Sequence, residues 1–120
     1  MSDKPTILVA EDEAMLRMIA VEMLQDSGFE VFEAGDGVEG LELLKAHPEI
    51  SLLVSDIKMP RMDGYALAEA GLALKPELKV LLMTGYAQEP PPGPLRHVQI
   101  LHKPFNLERL CAVAAELTGA

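Results

Sequence analysis

Four polar sites in this chain each come at the end of an apolar run: Glu11-Asp12, Asp56, Thr84 and, one residue further on, Lys103. The run before Asp56, Leu52 to Ser55, is apolar and partly β-branched, and it breaks afterwards into Pro60 and Gly64. In an open α/β sheet, chemistry collects just beyond the carboxyl ends of the strands. Were these runs neighbouring strands, the carboxylates of Glu11, Asp12 and Asp56 would share one edge and repel one another. A hard divalent cation with oxygen ligands relieves that repulsion, and few protein ligands completed by water suit Mg²⁺. Lys103 can offer an ammonium to Asp56 or to a group attached to it, and Thr84 a hydroxyl. Acyl-phosphate chemistry uses such parts. A carboxylate attacks phosphorus, cations neutralise the equatorial oxygens, and a hydroxyl senses the phosphoryl group. Each residue alone has a plainer explanation. Asp56 could cap a turn, Glu11-Asp12 could face a helix dipole, Thr84 could end a strand, and Lys103 could sit on the surface. Their joint occurrence, in order, favours the chemistry.

The elements that must position them are legible as periodicities. Thr6 to Ala10 is a continuous apolar run and reads as a buried strand. From Ala14 to Gln25, Leu16, Ile19, Ala20, Met23 and Leu24 recur at helical spacing and predict an inner face. Gly28 is placed to cap that helix in the left-handed region. Phe29 to Ala34 alternates as a second strand. Asp36 can cap a helix whose inner face reads Val38, Leu41, Leu44 and the stem of Lys45, stopped by His47-Pro48. Leu52 to Ser55 is the central strand. Asp63 is a plausible N-cap for a helix to about Leu74, closed by Lys75-Pro76. Lys79 to Met83 and Val98 to Leu101 are further strands, and Asn106 can cap a last helix through Leu117. The alternation predicts a parallel sheet with right-handed crossovers and helices on both faces, in one domain spanning residues 1–120. One helical slot is spoiled. Between Gln88 and His97, prolines 90, 91, 92 and 94 leave too little chain to propagate a helix. That stretch is expected to hold one turn at most and to be the most mobile part of the chain.

Composition narrows the function classes. The chain has 120 residues, 49% of them hydrophobic, which suits one globular core. A formal net charge of −9 without a Lys/Arg run argues against nucleic acid as a partner and favours a monomer. No apolar run approaches membrane-spanning length, and residues 1–5 carry no secretory pattern, so a cytoplasmic location and no membrane partner are expected. The single cysteine, Cys111, sits in an Ala/Leu-rich helical pattern and reads as a small packing residue. His47, His97 and His102 show no metal-ligand spacing and read as surface or loop residues. The seven methionines read mostly as core filler.

The chain resembles the receiver domains of two-component response regulators. The resemblance rests on Glu11-Asp12 after the first strand, on the run from Asp56 through Lys58-Met59-Pro60-Arg61-Met62-Asp63 to Gly64, on Thr84-Gly85, and on Lys103-Pro104-Phe105. It covers about Thr6 to Leu117. It implies a CheY-like, flavodoxin-like sheet of five parallel strands in the order 2-1-3-4-5. Asp56 would accept a phosphoryl group from a histidine kinase or a histidine phosphotransfer protein. Glu11, Asp12, Asp56 and the backbone carbonyl of Lys58 would hold Mg²⁺, and Thr84 and Lys103 would contact the phosphoryl oxygens. Such a domain is not an enzyme beyond its self-catalysed phosphotransfer and autodephosphorylation.

The chain departs from the family at two places. Ile100 stands where receivers often carry a switching aromatic, and Tyr86 is the candidate substitute. The spoiled fourth helix, with Thr84-Gly85-Tyr86, resembles a subgroup of stand-alone alphaproteobacterial receivers. If the chain is the whole protein, its output is contact with a downstream protein, or service as a phosphate sink or relay. Two other function classes compete. A small phosphatase with an aspartyl nucleophile would want a second acid at position 58, where Lys58 stands. A pseudo-receiver that only binds a partner would be favoured by a missing acid.

Overall fold

A computed structural model describes residues 4–84, 98–102 and 107–119. The elements are β1 (Thr6–Ala10), α1 (Ala14–Asp26), β2 (Glu30–Ala34), α2 (Gly37–Ala46), β3 (Ile50–Asp56), α3 (Gly64–Leu74), β4 (Lys79–Thr84), β5 (Gln99–His102) and α4 (Leu107–Thr118). The strands are all parallel and lie in the order β2-β1-β3-β4-β5, as the resemblance implies. The expected weakening of a helix between Gln88 and His97 falls outside the described residues, as do Gly85, Tyr86, Lys103, Phe105 and the Asn106 cap. Among the described residues, no helix is long and apolar enough to cross a membrane.

The helix boundaries follow from their termini. Gly28 has φ +98°, and the Phe29 amide donates to the carbonyl of Leu24, which closes the last turn of α1. Asp36 and Asp63 cap α2 and α3 by accepting from the amides of Glu39 and Ala66, each at 2.8 Å. His47-Pro48 and Lys75-Pro76 then end those two helices, since proline disfavours helical backbone in the residue before it.

Side chains alternate across the sheet and build a core on each face. Ile7, Val9, Leu52, Val54, Leu81 and Met83 meet Ala20, Val21 and Leu24 of α1 and Leu110, Val113 and Ala114 of α4. Leu8, Ala10, Leu53, Val80 and Leu82 meet Leu44 of α2 and Leu67 and Ala68 of α3. Cys111 packs half-buried at the rim of the first core, with Sγ 3.7 Å from the Met23 carbonyl. His47, in the connection after α2, is half-buried with its ring stacked on Phe32 at 4.1 Å, and His102 is exposed.

Two helix faces differ from their expected ones. In α1 the buried stripe is Ala20, Val21 and Leu24, whereas Leu16 and Ile19 are 40% and 37% exposed. Met15 and Met18 are exposed as well, so the methionines are not uniformly core. A crossover helix begins at the carboxyl edge of a parallel sheet, so its first turns have the least sheet beneath them. In α2 the buried residues are Gly37, Gly40 and Leu44, while Lys45 is exposed. A Cβ on Gly40 would lie 3.0 Å from the Leu67 side chain, so glycine lets α2 and α3 approach closely.

Two outcomes are expected from this packing. Leu53 is fully buried at the centre of the sheet, so Leu53→Ala should lower stability in urea unfolding by about 3 kcal/mol. The Asp36 carboxyl is held below its ordinary pKa, first by the Glu39 amide and then by Arg61. A depressed folded pKa contributes stability above the unfolded value, near pH 4, and that contribution is lost as pH falls through the folded value. Asp36→Asn should therefore flatten the acid limb of stability below about pH 4, as read by urea midpoints over an acid pH series.

Candidate functional site

β1 and β3 are neighbours in register, with Ala10 beside Ser55, so their carboxyl ends bring the residues that follow into one place. Glu11, directly after β1, is only 4% exposed. Its amide donates to the Ala34 carbonyl at the end of β2, and its Oε2 accepts from the Glu13 amide at 3.1 Å. Burying a carboxylate is costly unless polar groups meet it, and this amide is one of them. Arg17 reaches back from α1. Its Nη1 donates to the Glu11 carbonyl at 2.8 Å and its Nε to Glu33 at 3.1 Å, which pins the turn carrying Glu11 and Asp12.

Asp56 ends β3 and is half-buried. The Ile57 amide donates to Asp56 Oδ1 at 2.9 Å and also to the Met83 carbonyl at 3.1 Å, tying the acid's orientation to β4. Glycine is required beneath it. A Cβ on Gly64 would fall 2.3 Å from the Asp56 carbonyl oxygen, so the start of α3 presses directly on the backbone of the acid. The Gly64 amide donates to the Ile57 carbonyl at 2.8 Å and closes the base of the 57–63 loop.

The structure brings Glu11, Asp12 and Asp56 together as the sequence implied. One carboxylate oxygen from each lies within 4.8 Å of the others. Oxygens bound to a single Mg²⁺ at about 2.1 Å lie no more than about 4.2 Å apart, so the cluster needs only small adjustments to hold one. Glu11 is buried, Asp12 exposed and Asp56 between them, so the cluster opens to solvent on the Asp12 side. Thr84 ends β4 half-buried, on the same edge. Lys58 is exposed in the loop beyond Asp56. Ile100 lies in β5 beside Leu82, half-buried against the core that α2 and α3 cover. Lys103 and Tyr86 lie outside the described residues.

Sequence reasoning missed two polar links here. The Arg17 contacts with Glu11 and Glu33 are one, and an Arg61–Asp36 ion pair at 2.7 Å is the other. The Arg61 pair joins loops 25 positions apart and has no local signal beyond Asp36 as a cap.

The comparisons with known proteins agree with this geometry. A family model for the response regulator receiver domain matches residues 7–115. The response regulator receiver protein CpdR of Brucella abortus is 37% identical over 107 residues, covering 87% of this chain and 88% of that protein. The sensor kinase CckA of the same organism is 36% identical over 121 residues, but the match spans only 13% of the kinase. Among solved structures, a response regulator receiver protein from Sinorhizobium medicae superposes with a TM-score of 0.88 at 30% identity, covering 98% of this chain and 97% of that one. The receiver domain of the hybrid histidine kinase CckA gives a TM-score of 0.82 at 31% identity, covering 94% of this chain and 98% of that one. With its acids gathered at the carboxyl edge of a 2-1-3-4-5 sheet, the chain belongs to the response regulator receiver domain family, the phosphoacceptors of two-component signalling.

Proposed function

We propose that Asp56 is the phosphoacceptor and that its donor is a phosphohistidine on a kinase or a phosphotransfer protein. The observation that carries this is the convergence of Glu11, Asp12 and Asp56 within 4.8 Å, on the strand ends where the family's chemistry occurs. An Asp56 carboxylate oxygen attacks phosphorus, the P–N bond to histidine breaks, and the imidazole leaves with its electron pair. Receiver domains bind Mg²⁺ at an acidic pocket of this kind. Here Glu11, Asp12, Asp56 and the carbonyl of Lys58 would hold it, and once bound it supplies positive charge against the phosphoryl oxygens. Thr84 and Lys103 complete the contacts to those oxygens. The domain catalyses its own phosphotransfer and hydrolysis and turns over no separate substrate.

The exposed Met15, Leu16, Met18 and Ile19 follow directly on the acidic turn. Apolar surface beside the site suits a protein that must press its histidine against Asp56. The output is a downstream protein contact, or phosphate storage and relay, by a monomeric cytoplasmic domain. Lys58 in place of a second acid disfavours a phosphatase, and the gathered acids disfavour a pseudo-receiver. Assignment to the stand-alone subgroup rests on Thr84-Gly85-Tyr86 and the proline-rich stretch, with Tyr86 and Ile100 as switch candidates.

Incubating the protein with Mg²⁺ and acetyl phosphate tests this function. Wild type should gain one phosphoryl group by intact mass, and Asp56→Asn should gain none while keeping its fold. Labelling of Asp56→Asn at the wild-type level would sink the assignment. With chelator present, Asp56→Asn should melt at or above the wild-type temperature, because one of three mutually repelling charges is gone. Mg²⁺ at about 100 times its Kd should add about 2.7 kcal/mol of stability by mass action. Asp12→Ala should remove most of that gain, as read by melting with and without the ion.

A further inference from the structure

Arg61 alone among the described non-glycine residues has a positive φ, +70°. The Met62 amide donates to the Pro60 carbonyl at 2.8 Å, so a hydrogen bond from residue i to i+2 closes around it. That combination marks the rare, strained form of the γ-turn. Glycine would take this conformation without a Cβ clash. Arginine at this position therefore needs an offsetting contact, and its guanidinium provides one. Arg61 Nε and Nη2 both donate to Asp36 Oδ2, at 3.0 and 2.7 Å. Asp36 Oδ1 meanwhile accepts from the Glu39 amide and caps α2. The backbones are in contact as well, since a Cβ on Gly37 would lie 2.2 Å from the Met62 carbonyl oxygen. The loop that follows Asp56 is thus closed at its base by Ile57 and Gly64 and tied at its tip to the first turn of α2.

We infer that the Asp36–Arg61 contact is a positioning pair that sets Mg²⁺ affinity at the acidic cluster, by holding the strained turn and through it the path of residues 58 and 59. The inference rests on the metal assignment given above, in which the Lys58 carbonyl is a ligand. Residues 58 and 59 are all that lie between the anchored start of the loop at Ile57 and the turn itself. A tip released from Asp36 can rotate the peptide after Lys58, and a ligand that must first be ordered binds more weakly. Groups that orient metal ligands without touching the ion commonly govern affinity in this way. Arg61 is 61% exposed against 17% for Asp36, so solvent reaches the pair from the arginine side and its direct contribution to global stability is small.

That separation between site and fold supplies the test. Arg61→Gly removes the guanidinium and suits the positive φ. Asp36→Asn keeps a capping oxygen for the Glu39 amide and removes the charge. Calorimetric Mg²⁺ titration of wild type, both single variants and the double variant is read beside melting in chelator. Each single variant should raise the Mg²⁺ Kd roughly tenfold, with the double variant no worse than either. Melting in chelator should be nearly unchanged for Asp36→Asn and unchanged or higher for Arg61→Gly. Wild-type Kd values in the variants would overturn the positioning role while leaving the metal site intact. Weakened binding that merely tracks a lowered melting temperature would also overturn it, as a general loss of structure. A wild type that takes up no Mg²⁺ would overturn the metal assignment, and this inference with it.

Discussion

Three carboxylates held within 4.8 Å of one another is a costly arrangement, and the fold is built around sustaining it. Mutual repulsion of that kind is a local instability that something else must offset. Here the offset is the two-faced apolar core beneath the acids, in which β1 and β3 are buried on both sides. Because those strands are adjacent and in register, their ends cannot separate without breaking the centre of the sheet. The acids are therefore forced together by the packing of the strands that carry them, and negative charge is concentrated at that edge.

The loops over that edge are fixed by close backbone approaches more than by side-chain burial. Gly64 sits against the Asp56 carbonyl and Gly37 against that of Met62, so α2 and α3 start directly on the loop that follows Asp56. Arg17 and Arg61 then add charged ties, one to the turn of Glu11 and Asp12, the other to the cap of α2. Strain at Arg61 is found where the loop must be aimed, which is where stored backbone strain has a use.

How much of this the sequence disclosed depended on whether the cause was local. Strand runs such as Thr6–Ala10 and caps such as Asp36 and Asp63 are written in adjacent residues, and the structure places them within a residue or two of their expected positions. The acidic cluster was legible because strand ends in a parallel sheet share an edge, so topology alone brings Glu11, Asp12 and Asp56 together. The inner face of α1 was misjudged at Leu16 and Ile19, since periodicity reports that a face is apolar but not how far the sheet extends beneath it. The burial of Gly37 against the Met62 backbone and of Gly40 against Leu67 was invisible for a related reason: a glycine at a close approach carries no hydrophobic signal. The Arg61–Asp36 pair was missed because its partners meet only after the sheet has formed.

On the proposed function, Asp56 and no neighbouring acid carries the phosphoryl group. Borohydride reduction of the phosphorylated protein converts an aspartyl phosphate to homoserine, and peptide mass spectrometry then locates it. Homoserine is expected at position 56, and only in protein phosphorylated with Mg²⁺ present. Homoserine at position 12, reduction of Glu11, or stable phosphate that resists borohydride would contradict it.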